Sequence, residues 1–295
     1  PRRTARAMTG GGDGAGRPFW KAVGSGNDFV FLDARGSGAG PDPLETAEWI
    51  AAACTPHLGI GADGVVFVAP PVEPGTALSI RYYNADGSRA SFCGNASLCA
   101  TQMAVELGLA TRHLAFGLTT DAGRLLVTAH EGAQAELELA TADHVTADTG
   151  DVREDGEWRI GFAVAGVPHV VVLVDEAASV SVAARGATLR APTAARPAGA
   201  NVNFVSPPVA GSAPGTPWTI RTFERGVEGE TLACGSGNVA SAALLAAWGL
   251  VPPDAAVPLR TRSGRVLTVT PADAGRVRLS GEGRIVYEGR LRAVR

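Results

Sequence analysis

Two stretches of the chain carry a cysteine in matching surroundings. Residues 80–99 read IRYYNADGSRASFCGNASLC and residues 220–239 read IRTFERGVEGETLACGSGNV. Each runs Ile-Arg, aromatic and polar residues, a Gly-containing turn, then Cys-Gly and a small polar residue. The residues after each Cys-Gly have helical composition, so each thiol is expected just before a helix. A helix N-terminus exposes unpaired N–H groups and a partial positive charge. Such a site favours thiolate over thiol, and the same N–H groups bind an anion such as a carboxylate. Gly94 and Gly235 let backbone approach a ligand closely. Two such turns facing one another would put a thiol on each side of a bound carboxylate. That arrangement suits removal of a proton α to the carboxylate from one face and its return from the other, with inversion at the α-carbon and no cofactor. A single cysteine before a helix is ordinarily a small buried hydrophobe; the doubling favours chemistry. A structural Cys93–Cys234 disulfide is disfavoured in a reducing compartment.

The elements that must position these turns read as an α+β chain. FWKAVGSGNDFVFLD is a strand, a Gly-rich turn and a second strand ending at Asp33. Helical spacing covers 45–54, β-branched strand 63–70, and strand 78–87 running into an Asn-Ala-Asp-Gly turn. A helix is expected over 95–108, ended by Gly108, and another over 237–249, ended by Gly249. Between them RLLVTAH and AELELA suggest a hairpin, RIGFAVAGVPHVVVLV a long β stretch broken at Gly166-Val167-Pro168, and ANVNFVSP and WTIRTFERG further strands. The C-terminal 30 residues or so read as short strands joined by Gly turns. Few helices and short links favour antiparallel sheet, and the paired stretches suggest internal duplication.

The chain has 295 residues, 45% of them hydrophobic, and a formal net charge of −3 with scattered charges. It can bury a sizeable core, and nothing points to nucleic acid or a membrane as partner. No apolar run reaches the length of a spanning helix. The Arg- and Gly-rich residues 1–16 lack the apolar segment of a signal peptide and read as a disordered tail or an expression remnant, so a cytoplasmic location is expected. The four cysteines are too few for a disulfide framework, and no metal site is expected. Cys54 and Cys99, on helices among apolar residues, read as core.

At these residues the chain resembles the diaminopimelate epimerase family, pyridoxal-phosphate-independent amino-acid epimerases. The segments GSGNDFVFLD, GIGADGVVF, YYNADGSRASFCGNASLCA, GVPHVVV, GANVNFV and ERGVEGETLACGSG carry the resemblance, in the family's order. It implies two pseudo-symmetric domains, each a central helix wrapped by mostly antiparallel sheet, with the active site in the cleft between them. The expected domains are 17–113 plus 285–295, carrying Cys93, and 114–284, carrying Cys234. The resemblance implies interconversion of LL- and meso-diaminopimelate, in lysine and cell-wall synthesis, without cofactor. Cys93 and Cys234 become the paired acid and base, and Gly94, Asn95, Gly235 and Ser236 the helix-terminal contacts to the reacting carboxylate. Asn27, Asn84, Asn201 and Arg225 match substrate-holding positions, Arg225 on the distal carboxylate. Glu224 would engage an ammonium group or tune a thiol, and His169 would adjust the protonation of the pair. Taken alone, Asn27, Asn84 and Asp86 suit turns, Asn201 a strand end, Glu224 and Arg225 a surface pair, and His169 a structural histidine.

Four departures concern the substrate. Val167 stands where the family has Asn before Pro-His, Gly64 where Gln is common, ERGVEGET is one residue longer than the usual turn, and CGNASLC replaces the usual CGNGARC. These motivate a second expectation: the same two-cysteine chemistry on another amino acid, such as histidine or lysine. A two-domain binding protein with inert thiols is the reading from another class. A homodimer is left open.

Overall fold

In the computed structural model the described residues are 16–37, 41–194 and 196–292. The expectation for residues 1–16 therefore falls, Gly16 apart, outside the described residues. The chain divides into two compact units, residues 1–137 with 282–295 and residues 138–281.

The first unit is built from β1 (Arg17–Gly24), β2 (Asn27–Asp33), α1 (Ala47–Cys54), β3 (Gly64–Ala69), β4 (Thr76–Asn84), β5 (Arg89–Ala90), α2 (Gly94–Glu106), β6 (Phe116–Thr120), β7 (Gly123–Ala129) and the start of β8 (Gln134–Ala140). Strand β1 pairs antiparallel with β2, β2 parallel with β3, β3 antiparallel with β4, β4 antiparallel with β5 and parallel with β6, and β6 antiparallel with β7.

The second unit contains β9 (Asp143–Thr146), β10 (Glu157–Ala165), β11 (Val167–Val174), a 3-10 turn (Ala177–Ser179), α3 (Val182–Arg190), β12 (Asn201–Ser206), β13 (Trp218–Glu224), β14 (Gly229–Thr231), α4 (Gly235–Ala247), β15 (Val257–Arg260), β16 (Val266–Ala272) and the start of β17 (Arg276–Leu291). From β10 to β16 the pairings repeat those of β1 to β7 sense for sense, including the parallel pairs β11–β12 and β13–β15. The fold is mixed α+β, dominated by sheet, and internally duplicated. Residues 283–291 of β17 pair with β1, and residues 276–280 with β16.

The first boundary falls at 137/138 rather than 113/114, because β6 pairs with β4 and α2 packs on β7. The second falls at 281/282 rather than 284/285, since the chain from Gly283 onward pairs with β1. Among the described residues each unit also holds two α-helices, where the sequence leads one to expect a single helix in the second half. The addition, α3, buries Val182, Arg185, Gly186 and Leu189, a helical i, i+3, i+4, i+7 face. Gly186 abuts the Phe223 ring, and the Arg185 guanidinium is paired with Glu157 at 2.8 Å.

Helix α2 is buried along its length from Asn95 to Ala104, so it shows no amphipathic stripe. Its polar side chains are satisfied locally or by strand ends: Ser97 Oγ donates to Cys93 O at 2.9 Å, Thr101 Oγ1 to Ser97 O at 2.8 Å, and Gln102 Nε2 to Gln134 O. Close approach of β1 and β17 to this helix requires bare backbone. A Cβ at Gly24 would stand 2.3 Å from Asn95 O, and one at Gly283 2.2 Å from Leu98 O. Helix α4 is buried in the same manner and packs on Gly161 of β10 through Leu244 and Trp248. The outer helices close separate apolar layers. Ile50 and Cys54 of α1 pack with Val30, Leu32, Val65 and Phe67, and Val182 and Leu189 of α3 with Val170, Val172, Val202 and Phe204. No described helix is long and apolar enough to cross a membrane.

Candidate active site

Cys93 and Cys234 each occupy the N-cap position of a buried helix, with φ/ψ of −141°/114° and −130°/109°. The strand-to-helix turn is therefore the same in both units. In each, the Cys carbonyl accepts the first helical N–H, from Ser97 at 2.9 Å and from Asn238 at 3.1 Å. It also accepts a side-chain donor from that same residue, Ser97 Oγ at 2.9 Å or Asn238 Nδ2 at 2.7 Å. Neither thiol caps its helix, so the first-turn N–H groups take no bond from the cap side chain and can serve an anion. The other two cysteines are unsuited to chemistry. Burial pushes the Cys54 thiol up to about 11 and holds that of the fully buried Cys99 well above its ordinary value, as expected of core residues.

Around Cys93 the first turn of α2 is tied to the strands. Asn95 Nδ2 donates to Asn27 Oδ1 at 2.8 Å, and Asn27 Nδ2 donates to Asp63 Oδ2 at 2.9 Å. Asp63 also accepts the Asp28 N–H at 3.1 Å. Asn27 thus joins the GSGND and GIGAD segments to the helix, beyond a turn role of its own. Asp63 was not among the candidates, although its segment was. Asn84, at the end of β4, donates Nδ2 to Ser88 Oγ at 3.0 Å across the Asn-Ala-Asp-Gly turn, and Asp86 accepts from Ser88 N at 2.8 Å. Gly64 pairs opposite Asn84. A Cβ at Gly64 would lie 2.4 Å from Tyr83 O and 2.7 Å from Tyr82 Cε2, so this backbone admits no side chain there. The Tyr82 ring, edge-on to Phe29 at 5.9 Å between centroids, fills the space.

Around Cys234 the surroundings are polar. Cys234 is 7% exposed, and its Sγ lies 3.5 Å from Ser236 Oγ. Burial raises the Glu224 carboxyl above its ordinary range, partly offset by hydrogen bonds from Thr231 Oγ1 and the Cys234 thiol. Glu224 is consequently not half of a surface ion pair with Arg225. Asn201 Oδ1 accepts the Arg225 N–H at 2.8 Å, and Arg225 Nη1 donates to Ala198 O at 3.1 Å. His169 is fully buried on β11, with Nδ1 3.1 Å from Asn203 Nδ2. Burial, with Arg225 nearby, pushes its pKa down to about 3, so the ring is neutral. Asn203 was also missed, though it lies in the quoted GANVNFV. Val167, at the start of β11, is 36% exposed and offers only an apolar side chain.

The first unit thus gathers Cys93, Gly94, Asn95 and Asn27 with Asp63, and Asn84 stands across the sheet from Gly64. The second gathers Cys234, Gly235, Ser236 and Glu224, with Asn201, Arg225 and His169 on the adjoining strands and turn. Each places a thiol at the N-terminus of a buried helix, the kind of position that suits an anion.

The sequence model of diaminopimelate epimerase matches residues 19–153 and 162–286. The chain is 42% identical over 284 residues to the diaminopimelate epimerase of Gemmatimonas aurantiaca, covering 92% of this chain and 98% of that one. It is 38% identical over 285 residues to that of Aquifex aeolicus, covering 92% and 97%. Among solved structures it superposes on a phenazine biosynthesis protein of the PhzF family from Bacillus anthracis with a TM-score of 0.70 at 14% identity, over 93% of this chain and 98% of that one. A probable proline racemase from Agrobacterium radiobacter gives a TM-score of 0.62 at 16% identity, over 93% and 92%. At such identities these two likenesses concern the fold alone.

Proposed function

The chain belongs to the diaminopimelate epimerase family and is an isomerase; from that premise we propose that it interconverts LL- and meso-2,6-diaminopimelate by a two-base mechanism, with Cys93 and Cys234 as the bases. The observation that carries the reading is the matched N-cap placement of the two thiols on buried helices. The reacting carboxylate accepts hydrogen bonds from the first N–H groups of α2 and α4, at Gly94, Asn95, Gly235 and Ser236. One cysteine, as thiolate, removes the α-proton. The carbanion's charge spreads into the clamped carboxylate, where fixed N–H dipoles stabilise it without reorganisation. The other cysteine, as thiol, delivers a proton to the opposite face. The α-carbon inverts, and thiol and thiolate have exchanged places, ready for the reverse direction. Glu224 accepts the Cys234 S–H when that residue is the acid, and Arg225, its backbone held by Asn201, takes the distal carboxylate. Proton return from a second group inside the protein requires no pyridoxal phosphate.

A second reading keeps this chemistry and changes the substrate, favoured by Val167 and by the closed position at Gly64. Losing a hydrogen bond to a polar distal group costs about 1–3 kcal/mol, roughly a 5- to 150-fold change in preference. Chiral chromatography of diaminopimelate beside histidine, lysine and other amino acids separates the two. The expected result is turnover of diaminopimelate in both directions; turnover of another amino acid and not of diaminopimelate would replace the first reading with the second.

A further inference from the structure

Three polar contacts fix the orientation of the Asn203 side chain. The residue is fully buried on β12. Oδ1 accepts from Thr222 Oγ1 at 3.0 Å, and Nδ2 lies 3.2 Å from Val170 O and 3.1 Å from His169 Nδ1. A carbonyl only accepts, so the atom facing Val170 O must be the NH2 group; a flipped amide would set two oxygens against each other. The second N–H of that NH2 group then points at His169 Nδ1, which must accept it. A neutral imidazole that accepts at Nδ1 carries its proton on Nε2. His169 Nε2 is buried and has no hydrogen-bond partner within the described residues. The amide also lies against the helix that carries Cys234, where a Cβ at Gly237 would stand 2.3 Å from Asn203 Oδ1 and 3.4 Å from Cys234 Cβ.

We propose that Asn203 is a positioning residue that locks His169 as the Nε2–H tautomer, a neutral hydrogen-bond donor held in the Cys234 corner for an anionic acceptor. His169 in this state neither takes a proton at Nδ1 nor carries charge. Its contribution is a directed N–H, available to a thiolate or to a carboxylate. The charged group bearing on the ring is Arg225, which, with burial, opposes protonation. Glu224 on β13 and Cys234 on α4 are the other titratable groups of the corner. The role in turnover rests on the epimerase reading; the position of the ring proton does not.

The test is nitrogen-15 NMR of the histidine rings in the full chain, with the His169 signals assigned by their loss in His169→Gln. The wild type is expected to show protonated Nε2 and bare Nδ1, unchanged from about pH 5 to about pH 8. Protonated Nδ1, or an imidazolium titrating in that range, would overturn the proposal whatever the enzyme's substrate. Asn203→Asp offers an acceptor in place of the donor, so the proton should move to Nδ1 and the ring should titrate at higher pH. With diaminopimelate, kcat should fall about tenfold or more with little change in KM. An Asn203→Asp protein that keeps the wild-type tautomer and kcat would also overturn it. The wild-type spectrum decides the question even where the variant folds poorly.

Discussion

Phe29, Val66 and Tyr82 in the first unit hold the strand positions that His169, Asn203 and Thr222 hold in the second. The registers make the equivalence: Phe29 pairs with Gly64 as His169 pairs with Asn201, and Val66 faces Tyr82 as Asn203 faces Thr222. At the strand ends, Asn84 corresponds to Glu224. One backbone plan therefore carries an edge-to-face aromatic contact in one unit and a hydrogen-bonded polar chain in the other. Duplication preserved what places a thiol at a helix end, and divergence acted on what surrounds it. The titratable groups gather at Cys234, while Cys93 is backed by amide side chains and a carboxylate, Asp63, already engaged by Asn27 and the Asp28 N–H. On the proposed mechanism the two thiols exchange protons with opposite faces of one carbon, which needs equal geometry but not equal electrostatics.

Breaking the comparison at its centre should have the largest effect. Cys93→Ala and Cys234→Ala should each lower epimerisation by about 10³-fold or more, the range for loss of a positioned acid or base, measured by chiral chromatography in both directions. An intact rate in either variant would mean that the units are not used as a pair. The next effect should be one-sided. Glu224→Gln removes a buried carboxyl that accepts from Cys234 and should reduce kcat by about 10–100-fold. Asn84→Ser, its counterpart, loses one hydrogen bond to Ser88 and should cost threefold or so at the level of about 0.5–1 kcal/mol. Equal losses would erase the asymmetry. The smallest contrast concerns stability. Gly24→Ala drives a methyl into backbone at Asn95 O, which cannot swing away, and should cost about 2–3 kcal/mol in denaturant unfolding. Gly161→Ala meets the Leu244 side chain most closely, at 2.6 Å, with Thr146 O and the Trp248 ring at 3.0 Å; the Leu244 side chain can shift, and the change should cost about 1–2 kcal/mol.

Much of the candidate site was legible because its residues cluster in short segments. Cys-Gly before a helix, the Asn-Ala-Asp-Gly turn and the Pro-His strand each announce themselves within a few residues. What was not readable depends on long-range contact. Asn203 matters because the parallel β11–β12 register brings it beside His169, 34 residues away in sequence. Asp63 matters because Asn27 reaches it across 36. Gly64 reads as a missing Gln until Tyr82 is seen filling its space. Helix α3 escaped notice because its inward face spends two positions on Arg185 and Gly186, one satisfied by Glu157 and the other fitted to Phe223; neither registers as apolar. The unit boundary moved because β6 pairs with β4, a partnership that short strands do not disclose.

The central claim is that two different groups handle the proton on the two faces of the α-carbon. It is tested most directly by running the reaction on LL-diaminopimelate in deuterium oxide, without pyridoxal phosphate, and stopping at low conversion. The account predicts meso product bearing deuterium at the inverted carbon, with recovered substrate still bearing hydrogen. Product that retains the substrate's own hydrogen, or deuterium entering recovered substrate as fast as product forms, would contradict it.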